Sequence, residues 1–289
     1  LFKITRKLTK IFMINAIFSN EYFYIILLMI LTAVPVGFFA GLFGIGGGLI
    51  TVPFLFFIFE ALGVDKTYIM HLAVGTSFAI IIPTSFVSVL THNKHGSVDF
   101  NIIKSYGIFV IFGVITGTIL AAALVTKSLV LFFSIIVYLL GTYLLFLKDK
   151  AEDIKINFHI VQRIIFGFLS GFISAPMGIG GAVMNVPILK YFGYSINRAI
   201  GSAAAIGFII ALFGALGFLA SGSFLKVNLP LSVGFINIPA FLIFIPITTV
   251  MARIGANAVH KIKKQRVTKL FGTFLFFVGS LFLYRYFQI

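Results

Sequence analysis

The chain has 289 residues, 60% of them hydrophobic and only 10% charged, with a net charge of +15. Soluble domains carry about 25% charged residues, and seven carboxylates could not solubilise 37 phenylalanines. The composition excludes a soluble protein and predicts an all-α polytopic membrane protein, in which the cations are basic loops facing anionic lipid rather than a nucleic-acid-binding surface.

Residues 1–20 read as a basic arm. Lys3, Arg6, Lys7 and Lys10 fall at i, i+3, i+4 and i+7, a cationic helix face suited to lie on the lipid interface, with no evident signal-peptide cleavage site after it. Tyr22 to Phe59 then runs for 38 residues without a charge. A straight helix of that length would be about 57 Å long, against a bilayer core of ~30 Å. The run must break, and the glycines at 44–48 are the natural place. The spacing predicts a helix over 22–43, a short one over 50–60, and further segments at 68–92, 102–126 and 128–147. A polar loop follows at 148–162. The series then restarts at 163–177, breaks again at glycines, and continues at 183–193, 198–221, 230–252 and 267–286.

The restart is an internal repeat. GIGGGLITVPFL (44–55) and GIGGAVMNVPIL (178–189) share seven of twelve positions. HLAVGTSFA (71–79) echoes NRAIGSAAA (197–205), and Gly117 and Gly141 echo Gly255 and Gly279. Three echoes in one order predict two homologous repeats, 21–147 and 163–289, of four to five membrane segments each. Five crossings per repeat would invert one against the other; an even number would leave them parallel. The inverted reading is favoured. With the N-terminus outside, its cytoplasmic loops near 92–104, 148–163, 190–198 and 253–269 hold 14 of the 22 Lys and Arg. The basic arm, then outside, runs against that trend. Paired repeats of this kind mark secondary transporters, whose sites sit where the halves meet.

Thr51-Val52-Pro53 and Asn185-Val186-Pro187 follow the two breaks. Thr and Asn are helix N-caps, and Pro is tolerated in a first turn. Each short helix is therefore expected to start at its cap, with free N–H groups aimed back at Gly44, Gly46, Gly47 and Gly48 or at Gly178, Gly180 and Gly181. Helix N-termini bind anions, and glycine lets a ligand approach the backbone. The same glycines could instead serve only close helix packing. All seven acids fall at segment ends or in loops, so the intramembrane carboxylate common in cation carriers is missing. His71, Gly75, Thr76 and Ser77 in one third segment, and Arg198, Gly201 and Ser202 in the other, could draw and hold an anion. Arg198 could equally be an interface anchor and His71 an interfacial or packed histidine, and the hydroxyls could bond their own helices.

No metal or cofactor is expected. There is no Cys, and His92 and His95 have only Asp99 nearby to complete a ligand set. The glycines lack the βαβ context of a dinucleotide loop. No triad can be drawn for an intramembrane enzyme, which with an anion channel stands as the alternative reading.

These residues resemble the sulfite exporter TauE/SafE family of membrane transporters. The resemblance rests on Gly44, Gly46, Gly47, Gly48, Pro53 and Leu55, echoed by Gly178, Gly180, Gly181, Pro187 and Leu189; on Gly75-Thr76 and Gly201-Ser202; and on the loop from His92 to Asp99. It covers about residues 20–287. The second half departs at Ala182 and lacks the His…Gly…Asp loop, SGSFLKVNLP (221–230) standing there. The halves are therefore not interchangeable at the substrate. The resemblance implies transport of sulfite, an organosulfonate or a related small organic anion across a bacterial inner membrane. No GxxxxGK[ST] motif is present, so a gradient must supply the energy, with protons a candidate coupling ion.

Overall fold

The structure, a computed structural model, describes residues 21–44, 46–146, 158–227, 229–258 and 264–289. The basic arm (1–20) and the polar run 148–157 lie outside the described residues. The described helices are α1 (Glu21–Phe43), α2 (Gly48–Ala61), α3 (Ile69–Lys94), α4 (Phe100–Ala123), α5 (Thr126–Phe146), α6 (Ile160–Met177), α7 (Ala182–Tyr191), α8 (Ile196–Phe224), α9 (Ile238–Ala258) and α10 (Lys264–Tyr286). Both glycine breaks occur where expected, between α1 and α2 and between α6 and α7. The reading of a helix over 230–252 is corrected. Its first eight residues belong to a loop and a two-stranded hairpin, β1 (Ser232–Val233) and β2 (Ile236–Asn237), pairing Ser232 with Asn237 and Val233 with Ile236. Gly234, at φ 56°, makes that turn, and the Asn237 side chain then caps α9 by accepting the Ala240 N–H at 3.0 Å.

Small residues set the helix pairs. α1 lies along α9, with Gly37 facing Thr248 and Gly41 facing Ala252, so the two run parallel. α4 lies along α6 in the same sense, Gly113 facing Phe168 and Gly117 facing Phe172. A methyl at Gly41 or Gly113 would enter the neighbour's backbone, so glycine is what allows this approach. α3 and α8 run antiparallel through the centre, Gly75 against Phe218 and Phe78 against Gly214. α5 and α10 are antiparallel at the periphery, Gly141 meeting Phe276 while Gly279 meets Tyr138. All four directions are those expected of helices that alternate in chain order.

Seven of the described helices are long and apolar enough to cross a membrane, and α2 is a shorter apolar helix. Phe112, Ile119, Leu139, Leu242 and Phe277 are exposed on the outside of the bundle, as a lipid-facing surface requires. The centre is α3, whose face from Ile69 to Ile81 is almost wholly buried. Among the described side chains no Asp, Glu, Lys or Arg is buried. Glu60 pairs with Arg285 at 2.9 Å and Asp99 with Arg198 at 3.7 Å, both at helix ends.

Candidate functional site

The two glycine breaks meet. A Cβ built on Gly46 would lie 3.5 Å from the Gly180 Cα, and one on Gly48 would run into the Gly178 carbonyl. The junction falls near the middle of both central helices: Gly46 faces Ile81 and Ser85 of α3, while Gly180 and Gly181 face Gly207 and Ile210 of α8. Each break leans on the other's long helix. Gly44 packs on Ile200 and Ala204 of α8, and the Gly178 carbonyl accepts the Ser77 hydroxyl of α3 at 2.9 Å.

The expected caps are corrected. Gly47 (φ 85°) and Gly181 (φ 67°) are the N-caps of α2 and α7, and no side chain caps either helix. A left-handed cap residue suits glycine and penalises Thr or Asn. Thr51 and Asn185 lie one turn inside, each donating back to its cap carbonyl: Thr51 Oγ1 to Gly47 O at 3.0 Å, Asn185 Nδ2 to Gly181 O at 2.7 Å. Pro53 and Pro187 are consequently helix-interior residues, not first-turn ones. The direction inferred from the caps is unchanged. α2 and α7 begin at the junction and lead away from it.

Around the second break Asn185 is fully engaged. Its Oδ1 accepts from Tyr106 at 2.6 Å and from Ser170 at 2.9 Å, and all three side chains are buried. Around the first break, the Thr84 and Thr248 hydroxyls lie 2.9 Å apart, each also within 2.8 Å of a carbonyl of its own helix, Ile80 O and Phe244 O. Among the described residues, three buried hydroxyls have no partner: Ser85 and Ser88 on α3, and Ser174 at the end of α6. Ser85 Oγ lies 3.2 Å from the Cβ position of Gly46, and Ser174 Oγ 3.2 Å from that of Gly181. Buried polar groups are rarely left unpaired, so these call for an explanation.

The other expected residues lie towards the ends of the central helices. His71 is six residues from Ser77, about 9 Å of helix rise. Its Nε2–H donates to the Ala121 carbonyl at 3.1 Å, its ring stacks on Phe235 at 5.1 Å, and its Nδ1 is buried without a partner. Gly75 admits the Phe235 carbonyl, and the Thr76 hydroxyl accepts the Asn237 N–H at 2.9 Å. At the opposite end, Gly201 admits the Ser97 carbonyl, and the Ser202 hydroxyl accepts the Asp99 N–H at 3.0 Å. Arg198 is exposed and reaches Asp99, whose carboxylate also caps α4 through the Asn101 N–H at 3.0 Å. The structure thus brings Gly44, Gly46–Gly48, Ser77 and Gly178–Gly181 together, and gives Thr76 and Ser202 to loop anchoring.

The loop from Gly96 to Asp99 has a spatial counterpart that sequence reading missed. It is Gly234-Phe235-Ile236-Asn237, not SGSFLKVNLP. Both glycines have positive φ, 62° and 56°, and both fourth residues cap the next helix. The 138-residue spacing of Gly117 to Gly255 also links Gly96 to Gly234 and Asp99 to Asn237, and would have located it.

The family model described as Sulfite exporter TauE/SafE matches residues 29–282. A protein of Haemophilus influenzae named "Probable membrane transporter protein" is 33% identical over 258 residues, which cover 89% of this chain and 97% of that relative. A like-named protein of Methanocaldococcus jannaschii is 25% identical over 91% of this chain and 97% of its own length. One from Bacillus subtilis is 24% identical over 91% and 97%. No solved structure matches. The chain is an integral, multi-pass membrane protein and belongs to the sulfite exporter TauE/SafE family.

Proposed function

We propose that this membrane transporter carries a small anion, of the sulfite, organosulfonate or organic-acid class, by alternating access between two inverted repeats, 21–147 and 163–289. The observation that carries the reading is the meeting of the two short helices. α2 and α7 start at one junction, near the middle of α3 and α8, with left-handed glycine caps and no capping side chain. Two helix N-termini converging inside a membrane form a place of positive potential, and non-helical backbone at that depth is tolerated where it is buried in protein or lines a cavity.

The helix pairing supports the repeat. Exchanging α1 with α6, α2 with α7, α3 with α8, α4 with α9 and α5 with α10 turns the α1–α9 pair into α6–α4, the α3–α9 pair into α8–α4, and the α2–α3 pair into α7–α8. The α3–α8 and α5–α10 pairs map onto themselves, and their antiparallel sense is that of inverted halves. Rocking one half against the other would expose the junction first to one side and then to the other. The family name and the transporter names of the relatives support the substrate class and the activity. A gradient, with protons as the candidate coupling ion, would drive it.

Flux into proteoliposomes tests the reading. Sulfite or a simple sulfonate should enter vesicles containing the protein and saturate with concentration. Cation flux with no anion flux would refute it.

A further inference from the structure

We infer that the junction holds a singly charged oxyanion through backbone N–H groups and the hydroxyls of Ser85, Ser88 and Ser174, with no protein cation, and therefore selects monoanions such as sulfonates or hydrogen sulfite over dianions such as sulfate. This deepens the transporter reading and rests on it.

The hydroxyls are the independent sign of a ligand. Ser85 and Ser174 are 1% and 0% exposed, their oxygens have no partner, and each points at the glycine break beside a helix N-terminus. Ser88 lies one turn beyond Ser85 on the same helix, 1% exposed and likewise unpartnered. A buried hydroxyl on a helix ordinarily bonds the carbonyl four residues back. Thr84 and Thr91 on α3 do so, with Ile80 O and Val87 O, each at 2.8 Å. Ser85 and Ser88 do not. Nor does packing at the junction require a hydroxyl there. At the 126-residue spacing that aligns Gly75 with Gly201, the α8 residues matching Ser85 and Ser88 are Ala211 and Gly214.

The charge balance then limits the ligand. Each helix N-terminus is equivalent to roughly +0.5 of an elementary charge, so α2 and α7 together offer about one. No charged side chain is buried among the described residues to add another. His71, the other buried group on α3 with an unpartnered atom, faces Ala121 and Phe235 rather than the junction. A monoanion is matched. A dianion would keep about one uncompensated charge in a low-dielectric site, which is costly. A sulfonate presents three acceptor oxygens on one charge, enough to meet several hydroxyls and N–H groups at once.

The test compares methanesulfonate with sulfate, similar in size and differing in charge, using the full chain in proteoliposomes near neutral pH. Wild-type protein should transport methanesulfonate with a kcat/KM at least about tenfold above that for sulfate. Ser85→Ala and Ser174→Ala should each raise the KM for methanesulfonate about tenfold, roughly the 1.4 kcal/mol of one hydrogen bond to an anion, with kcat little changed. A serine that serves only packing would alter thermal stability and leave KM alone. Equal transport of sulfate, or a wild-type KM in both variants, would overturn the inference while leaving anion transport standing. A wild-type protein that moves neither anion would overturn it together with the transporter reading.

Discussion

The backbone N–H of Asn237 donates to the Thr76 hydroxyl at 2.9 Å, and that of Asp99 donates to Ser202 at 3.0 Å. Each acceptor follows a glycine, Gly75 or Gly201, whose missing side chain admits the carbonyl of Phe235 or Ser97. The two loops are thereby pinned to opposite ends of the central helix pair. Removing one buried acceptor strands an N–H group, which costs about 1–3 kcal/mol. Thr76→Val and Ser202→Ala should therefore lower the melting temperature in detergent, and Thr76→Ser should retain it. Unchanged melting of Thr76→Val would show the bond to be dispensable.

Gly75→Ala and Gly201→Ala push a methyl into the carbonyls of Phe235 and Ser97. Overpacking of this kind costs about 1–3 kcal/mol. Both variants should express with a lower melting temperature, and limited proteolysis should cleave the 229–237 loop faster in Gly75→Ala and the 95–99 loop faster in Gly201→Ala. Equal cleavage of both loops in either variant would contradict the pairing.

Asn185 bridges Tyr106, Ser170 and the Gly181 carbonyl, all in buried surroundings. Asn185→Ala leaves the Ser170 hydroxyl without that acceptor, while Tyr106 keeps the Phe166 carbonyl at 3.1 Å, and should destabilise by about 1–3 kcal/mol. Tyr106→Phe should cost less, because the Asn185 Oδ1 keeps the Ser170 hydroxyl as its donor at 2.9 Å. Thermal melting of both variants checks the order.

Arg198 is exposed and shares Asp99 with the cap of α4. Exposed ion pairs contribute about 0–1 kcal/mol, so Arg198→Ala should leave stability nearly unchanged. A cation so placed acts on an anion by long-range attraction, which salt screens. The variant should raise KM at low ionic strength, and the difference should vanish at about 0.5 M salt. A KM defect that persists in high salt would mean direct contact with the substrate.

Much of the architecture was legible because the membrane enforces it. A 38-residue uncharged run has to break, and glycine is where it breaks. The cap was misread because Thr and Asn are favoured capping types with a side-chain acceptor, whereas the left-handed φ of Gly47 and Gly181 decides the matter. The hairpin at 232–237 was hidden in an apolar stretch whose composition suits a helix or a strand equally. Nothing in the chain separates Ser85 from Thr84. Only the structure shows that one bonds its own helix and the other bonds nothing.

The central claim is that the meeting of the two breaks binds the transported anion. Gly46, at φ 68°, stands where a methyl would come within 2.7 Å of Ile81 and 3.5 Å of Gly180. The most direct measurement is methanesulfonate uptake by Gly46→Ala in proteoliposomes, normalised to inserted protein and accompanied by a melting curve. A shift of about an ångström at a binding site can cost a hundredfold. Uptake should fall by about that factor in protein that still inserts and melts cooperatively; uptake at the wild-type rate would contradict the account.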